Sequence, residues 1–147
     1  RDDVESRGLG DVYKRQGRGY VYSLQYHLVW CTKYRKEVLV NGVDQECKEM
    51  LQKIAQEYQF RILAMEVMPD HIHLLLDCKS QFFISDMIKI MKGNLARQLF
   101  LAHPELKRKL WGGHLWNPSY CAVTVSDRSQ EQIMAYIEGQ KEKEKRK

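Results

Sequence analysis

What the chain lacks narrows it first. Its four cysteines, Cys31, Cys47, Cys78 and Cys121, form no CxxC pair and follow no secretory apolar segment, so a reduced, cytoplasmic setting is expected. No apolar run approaches the roughly 18 to 20 residues that cross a bilayer, and a soluble protein with no membrane partner is expected. There is no internal repeat, and no low-complexity tract apart from the charged tail "KEKEKRK". A length of 147 residues with 44% hydrophobic side chains suits one domain with a substantial core and leaves no second one.

What is present is basic. A net charge of +5 and a pI near 9.0 favour an acidic partner, and nucleic acid is the commonest one for a small basic protein. Positive charge gathers in "KYRK" (Lys33, Arg35 and Lys36), in "KRK" (Lys107 to Lys109) and in the tail, while Lys89, Lys92 and Arg97 recur along one helical stretch. Such runs serve either as a solvated face or as a grip on phosphates, and composition does not choose between them. Residues 1–19, "RDDVESRGLGDVYKRQGRG", are polar, glycine-bearing and aperiodic, which reads as disorder. Within them "GLGDVYKRQ" also resembles a translated sequencing adapter, so this segment is set apart from a domain over 20–147.

The first strand is expected over Tyr20 to Thr32, where aromatic and β-branched residues dominate. After the turn residues Asn41 and Gly42, the spacing of Val43, Cys47, Met50, Leu51 and Ile54 predicts a helix. Phe60 to Val67 and "HIHLLLDC" read as a hairpin around the "MPD" turn. A second helix is expected over Phe82 to Leu101, with Ile84, Met87, Ile88, Met91, Leu95 and Leu99 as its apolar stripe and Pro104 closing it. A fourth strand over Tyr120 to Val125 and a last helix from Ser129 to about Lys145 complete the chain. The order β-α-β-β-α-β predicts an α+β fold, a ferredoxin-like antiparallel sheet with two helices on one face and an additional C-terminal helix.

Chemistry concentrates in "VMPDHIHLLLD". Side chains two apart on a strand share a face, so His71 and His73 point together while Ile72, Leu74 and Leu76 point the other way. Paired strand histidines either ligate a metal or hydrogen-bond within the fold. On the last helix Tyr136 and Gln140 are four apart and share a face, with Ile133 and Ile137 at its edge. They read either as a core tyrosine and a surface amide or as functional groups.

These motifs carry a resemblance. "YHLVWCTKYRK", "VMPDHIHLLL", "LWGGHLWNPSY" and "YIEGQ", in this order and spacing, are similar to the single-tyrosine transposases of small bacterial insertion sequences, the TnpA type of the HUH endonucleases. The likeness runs from about Tyr20 to Gln140. It implies a metal-dependent nuclease and strand transferase, working on single-stranded DNA hairpins at element ends in a bacterial or archaeal cytoplasm. It assigns His71, His73 and Gln140 as metal ligands and Tyr136 as the nucleophile that forms a 5′-phosphotyrosine. Two imidazoles and an amide oxygen leave open positions that suit Mg²⁺ or Mn²⁺. Gly139 stands where many relatives carry Asn, which loosens the helix by about 1 kcal/mol.

Around this set, Asp70 either orients a histidine, touches the metal or shapes the turn. His27 and His114 are further candidate neighbours or structural residues. Lys33, Arg35, Lys36, Lys89, Lys92 and Arg97 are candidates for the DNA backbone, and Trp111, Trp116 or Tyr120 for unpaired bases. The resemblance also implies a homodimer. The first or the fourth strand is expected to be the unpaired edge where its sheets join, and the last helix is able to cross to the partner's histidines over a hinge at Val125 to Gln130. Two alternatives stay open: a domesticated relative that processes repetitive palindromic DNA, and a non-catalytic ferredoxin-like nucleic-acid-binding protein with no role for Tyr136.

Overall fold

The structure, a computed structural model, describes residues 23–79, 84–110, 113–125 and 129–145. Expectations for residues 1–19, for the strand start at Tyr20, for Trp111 and for the middle of the Val125 to Gln130 hinge fall outside them. Strand β1 (Ser23–Cys31) leads through a 3-10 turn (Lys33–Arg35) to helix α1 (Val43–Tyr58) and strands β2 (Arg61–Met68) and β3 (His71–Lys79). Helix α2 (Ile84–Ala102), a short α3 (Glu105–Lys109), strand β4 (Cys121–Thr124) and helix α4 (Ser129–Lys145) follow. Pro104 closes α2 as expected and also opens α3, because its fixed φ suits the start of a helix. Asn41 and Gly42, with φ of 56° and 96°, make the left-handed turn from which α1 starts.

The four strands form one antiparallel sheet in the order β2-β3-β1-β4. One expectation is corrected here: the first strand is central, not an edge. It pairs with β3 from Ser23↔Lys79 to Cys31↔His71 and with β4 from Tyr26↔Thr124 to Val29↔Cys121. The reason is its composition, since Leu28, Val29, Trp30 and Cys31 are successive residues with no exposed surface, and a strand apolar on both faces belongs inside a covered sheet. β2 and β4 are the edges. β2 carries an irregularity between Ile62 and Ala64 that leaves Leu63 exposed.

The register divides the sheet into two unlike faces. Leu28 and Trp30 of β1, with Ile72, Leu74 and Leu76 of β3, point to the side covered by α1 and α2, where they meet Leu51, Ile54, Met91, Leu95 and Leu99. The opposite side carries His27, Val29 and Cys31 of β1, His71 and His73 of β3, and Cys121 of β4. Helix α4 packs on that side, against β4, β1 and the 3-10 turn. None of the described helices is long and apolar enough to cross a membrane.

Outside the sheet, the two covering helices are braced by His103, just past α2, whose Nε2 donates to Glu46 of α1 at 2.8 Å. That hydrogen bond, together with the charges of Glu46 and Glu105, raises the imidazole above its ordinary value. A raised histidine stabilises the fold fully below the unfolded value of 6.5 and loses that contribution as pH climbs through the folded one. His103→Gln is therefore expected to lower the urea midpoint more on the acidic side of this window than on the basic side. A loss equal on both sides contradicts the pairing.

Candidate active site

His71 and His73 lie where the alternation predicts, on the face away from the main core, with side chains 16% and 19% exposed. His71 Nδ1 is 2.9 Å from Asp70 Oδ1. A carboxylate only accepts, so this nitrogen donates and the lone pair of the neutral ring falls on Nε2. His73 Nδ1 faces Glu66 at 3.6 Å, and its Nε2 is 3.1 Å from His27 Nδ1. Burial and then the neighbouring His27 push the His73 ring below the usual imidazole value, against the pull of Glu66, which keeps it neutral at neutral pH. A hollow of about 280 Å³ opens beside these rings, lined by His27, Glu66, His73, Leu75 and Gln130 among others.

Asp70 faces Arg35 with its second oxygen. Arg35 Nε and one terminal nitrogen donate to Asp70 Oδ2 at 2.9 and 2.6 Å, and the other terminal nitrogen donates to the Ile137 carbonyl of α4 at 2.9 Å. One guanidinium thus ties the histidine strand to the helix that carries Tyr136 and Gln140. Burial alone would raise the Asp70 carboxyl, but hydrogen bonds from His71 and Arg35 and the Arg35 charge hold it below its ordinary value. The backbone at Arg35 is itself unusual, with φ of 53°, next to Tyr34 at 59°.

Tyr136 is half-buried over the histidine face, close enough to Cys31, Cys121 and Arg35 for each to perturb its hydroxyl. Burial is the largest influence and pushes the phenol up to about 12, opposed by its hydrogen bond with Ser119. Tyr136 Oη and Ser119 Oγ are 2.8 Å apart, and Ser119 gives its backbone N–H to Asn117 Oδ1 at 3.0 Å. Lys92 of α2 donates to the carbonyls of Asn117 and Ser119 at 2.8 and 3.2 Å. Sequence reasoning missed Ser119 and Asn117, although the "NPS" turn signature was there to suggest an asparagine bonded two residues on.

The remaining candidates separate. Arg35 and Lys92 direct their charges at protein acceptors, whereas Lys36, Lys89 and Arg97 are exposed. Lys33 rests over the Tyr34 ring at 5.1 Å. Trp116 is a core residue, edge-on to Trp30 at 5.8 Å and donating from Nε1 to the Lys92 carbonyl, while Tyr120 is 39% exposed. His27 joins the histidine face; His114 does not and lines another hollow beside α2. Gln140 is buried on α4. Among the described residues no three His, Cys, Asp or Glu side chains gather, so a cation at the two imidazoles needs a donor of another kind. The amide oxygen of Gln140, buried on α4, is a donor of that kind.

Known proteins share this sequence and fold. The family model described as Transposase IS200 like matches residues 20–140. The ISDra2 transposase TnpA of Deinococcus radiodurans is 54% identical over 130 residues, covering 88% of this chain and 93% of that protein. The transposase for insertion sequence element IS200 of Salmonella typhimurium is 28% identical over 124 residues, 84% of this chain and 81% of its own. A crystal structure described as a Deinococcus radiodurans transposase superposes with a TM-score of 0.79 at 52% identity, covering 86% of this chain and 97% of that one. A REP-associated tyrosine transposase solved with a REP hairpin gives 0.53 at 15% identity, over 81% of this chain and 67% of that one, a likeness of fold alone. The fold and these relatives define a transposase of DNA transposition. The chain belongs to the IS200-like transposase family.

The Arg35 bridge makes a measurable demand. Arg35→Ala leaves the Asp70 carboxylate without its fork and unties α4, and is expected to cost about 1.5–3 kcal/mol in urea unfolding near neutral pH. Arg35→Lys should recover only part, since an ammonium lacks the planar fork that donates twice to the carboxylate while its third nitrogen reaches the α4 carbonyl. Wild-type stability in both variants shows that the bridge does not hold α4.

Proposed function

We propose that this transposase cuts and rejoins single-stranded DNA at insertion-sequence ends through a covalent 5′-phosphotyrosine on Tyr136. The observation that carries this reading is the placement of Tyr136 over the same sheet face as His71 and His73, on a helix bridged to that face by Arg35. The sheet order is the ferredoxin-like one, and it supports the assignment by leaving one face to the two covering helices and the other to the reaction.

The Tyr136 oxygen attacks the scissile phosphorus, a P–O(Tyr) bond forms, and the bond to the 3′ oxygen breaks. The phenol proton leaves to a base and the departing 3′ oxygen takes one up. A new 3′ hydroxyl then attacks the phosphotyrosine, so one phosphodiester is exchanged for another and no ATP is required. His71, His73 and Gln140 would hold Mg²⁺ or Mn²⁺, which when bound supplies a Lewis acid that polarises the phosphate and neutralises developing charge. Asp70 fixes the His71 tautomer. Ser119 orients the Tyr136 hydroxyl, which burial keeps protonated at neutral pH until attack.

Partners follow from the same reading. The DNA is a hairpin at the element end, gripped by exposed Lys36, Lys89 and Arg97. The protein is a homodimer joined through an edge strand, β2 or β4. In the isolated chain α4 is docked on its own sheet, so exchange between copies must remake the Arg35 to Ile137 contact across the interface.

Incubation with labelled single-stranded element ends and Mg²⁺, followed by a denaturing gel, should show a protein–DNA adduct. Tyr136→Phe should abolish the adduct and preserve hairpin binding; cleavage at the wild-type level in that variant sinks the nucleophile assignment. His71→Ala and His73→Ala should lower cleavage and its response to Mn²⁺ while both chains stay folded, and simple unfolding of both favours a structural pair. Mixing Tyr136→Phe with His71→Ala chains should restore about one working site per heterodimer if α4 is shared in trans. No recovery in verified heterodimers assigns the helix to its own chain, and a monomer at micromolar concentration removes the dimer.

A further inference from the structure

A hollow of about 520 Å³ lies away from the histidines, between α2 and residues 113–120. On the α2 side Lys89, Gly93, Ala96 and Phe100 recur at helical spacing and form one wall; His114 and Tyr120 stand opposite. Gly93 is mid-helix, where glycine costs about 1 kcal/mol relative to alanine. No close contact demands it, because a Cβ built there meets nothing within 4 Å. What the glycine provides is open space on the floor of the groove.

The lining is selective in charge and character. Among the described residues Lys89 and His114 border the groove and no carboxylate does, Lys92 being taken up by the Asn117 and Ser119 carbonyls, so its complement is anionic. Phe100 and the exposed Tyr120 make the walls aromatic, so the same ligand must also present a flat apolar surface. Single-stranded nucleic acid has both properties, phosphates along its backbone and π-faces on its bases. The groove also borders the nucleophile's support. Asn117 and Ser119, held by Lys92 from the groove wall, run on to the Tyr136 hydroxyl.

We propose that this groove takes an unpaired base of the DNA strand being cut, seated over Gly93 and stacked on Tyr120, with Lys89 and His114 at the flanking phosphates. The inference rests on the single-stranded-DNA reading above and adds a site to it. It also gives Tyr120 and Gly93 a role that fold stability does not require.

The test uses the full chain and a fluorescein-labelled thymidine strand of about 12 nucleotides at low salt. Gly93→Met fills the groove and improves helix propensity, so it should weaken binding about 5- to 100-fold without lowering Tm. Tyr120→Ala should weaken it over a similar range and Tyr120→Phe should restore it. Lys89→Gln should reduce the slope of log K against log salt by about 0.7. Wild-type affinity in both Gly93→Met and Tyr120→Ala overturns the proposal, and so does failure of the wild type to bind the strand, or a duplex of the same length bound as well and with the same sensitivity. If Gly93→Met lowers Tm, the Tyr120 pair decides. The Tyr136 adduct is scored separately: binding that depends on Gly93 and Tyr120 without an adduct keeps the groove and loses the transferase, and an adduct with indifferent binding does the reverse.

Discussion

Arg35 is the residue on which the arrangement of this protein turns. Its fork reaches a carboxylate at the β2–β3 turn and a carbonyl of α4 at once, so it ties the histidine strand to the tyrosine helix where α4 packs on the sheet. The bridge has a cost. Tyr34 and Arg35 both sit at positive φ, a conformation that costs about 1–3 kcal/mol for a bulky residue. Hydrogen bonds to charged groups return about 1.5–3 kcal/mol each, so the fork alone is of the same size as the strain. The turn is then secured by its neighbours: buried Thr32 gives its N–H to the Asp70 carbonyl at 2.9 Å and its hydroxyl to the Lys36 carbonyl at 2.7 Å, and Lys33 N–H reaches the Leu115 carbonyl at 2.8 Å. Three segments distant in sequence thereby hold one strained turn, and the turn holds the site.

That bridge could not be read in the sequence, and the reason is physical. Periodicity reports which side of a strand or helix a residue occupies, so the strands, the helices and the shared face of His71 and His73 were legible from alternation and helical spacing. It does not report what a long basic side chain meets at its far end. Arg35 and Lys92 both belong to runs that look like phosphate grips, yet one ends on Asp70 and Ile137 and the other on two loop carbonyls. Lys92 loses so much hydration there that burial pushes its ammonium down to about 8. The central place of β1 was legible in principle, because four successive apolar residues leave no face for water. An edge strand is the wrong place for such a run.

The two faces of the sheet do different work, and the division begins in single residues. Ile72 sits between His71 and His73 and is fully buried under α1 and α2, while its neighbours stay partly open under α4. A one-residue slip in register would send both imidazoles into the aliphatic core and Ile72, Leu74 and Leu76 into the site. Long pairing with β1, from Ser23 to Cys31, guards against that slip. The chemistry can therefore sit beside the core without sharing it. Changes to the imidazoles alter what the face can bind, while the packing that sets their direction stays on the other side.

On the proposed mechanism, the environment of Tyr136 also bears on reversibility. Exchange between a phosphotyrosine and a 3′ hydroxyl is balanced only when the two oxygens compare as leaving groups, and a free phenol, with a pKa of about 10, is a much stronger acid than an alcohol. Left in water, the phenolate would leave too readily and the covalent intermediate would be a high-energy species. Burial pushes the hydroxyl up to about 12, which narrows that difference and makes the intermediate easier to hold. The same shift hinders attack, because less of the nucleophile is ionised at neutral pH. A site that must run both directions cannot favour either by much, and half-burial against Cys31 and Cys121, relieved by one hydroxyl from Ser119, is a setting between the two demands.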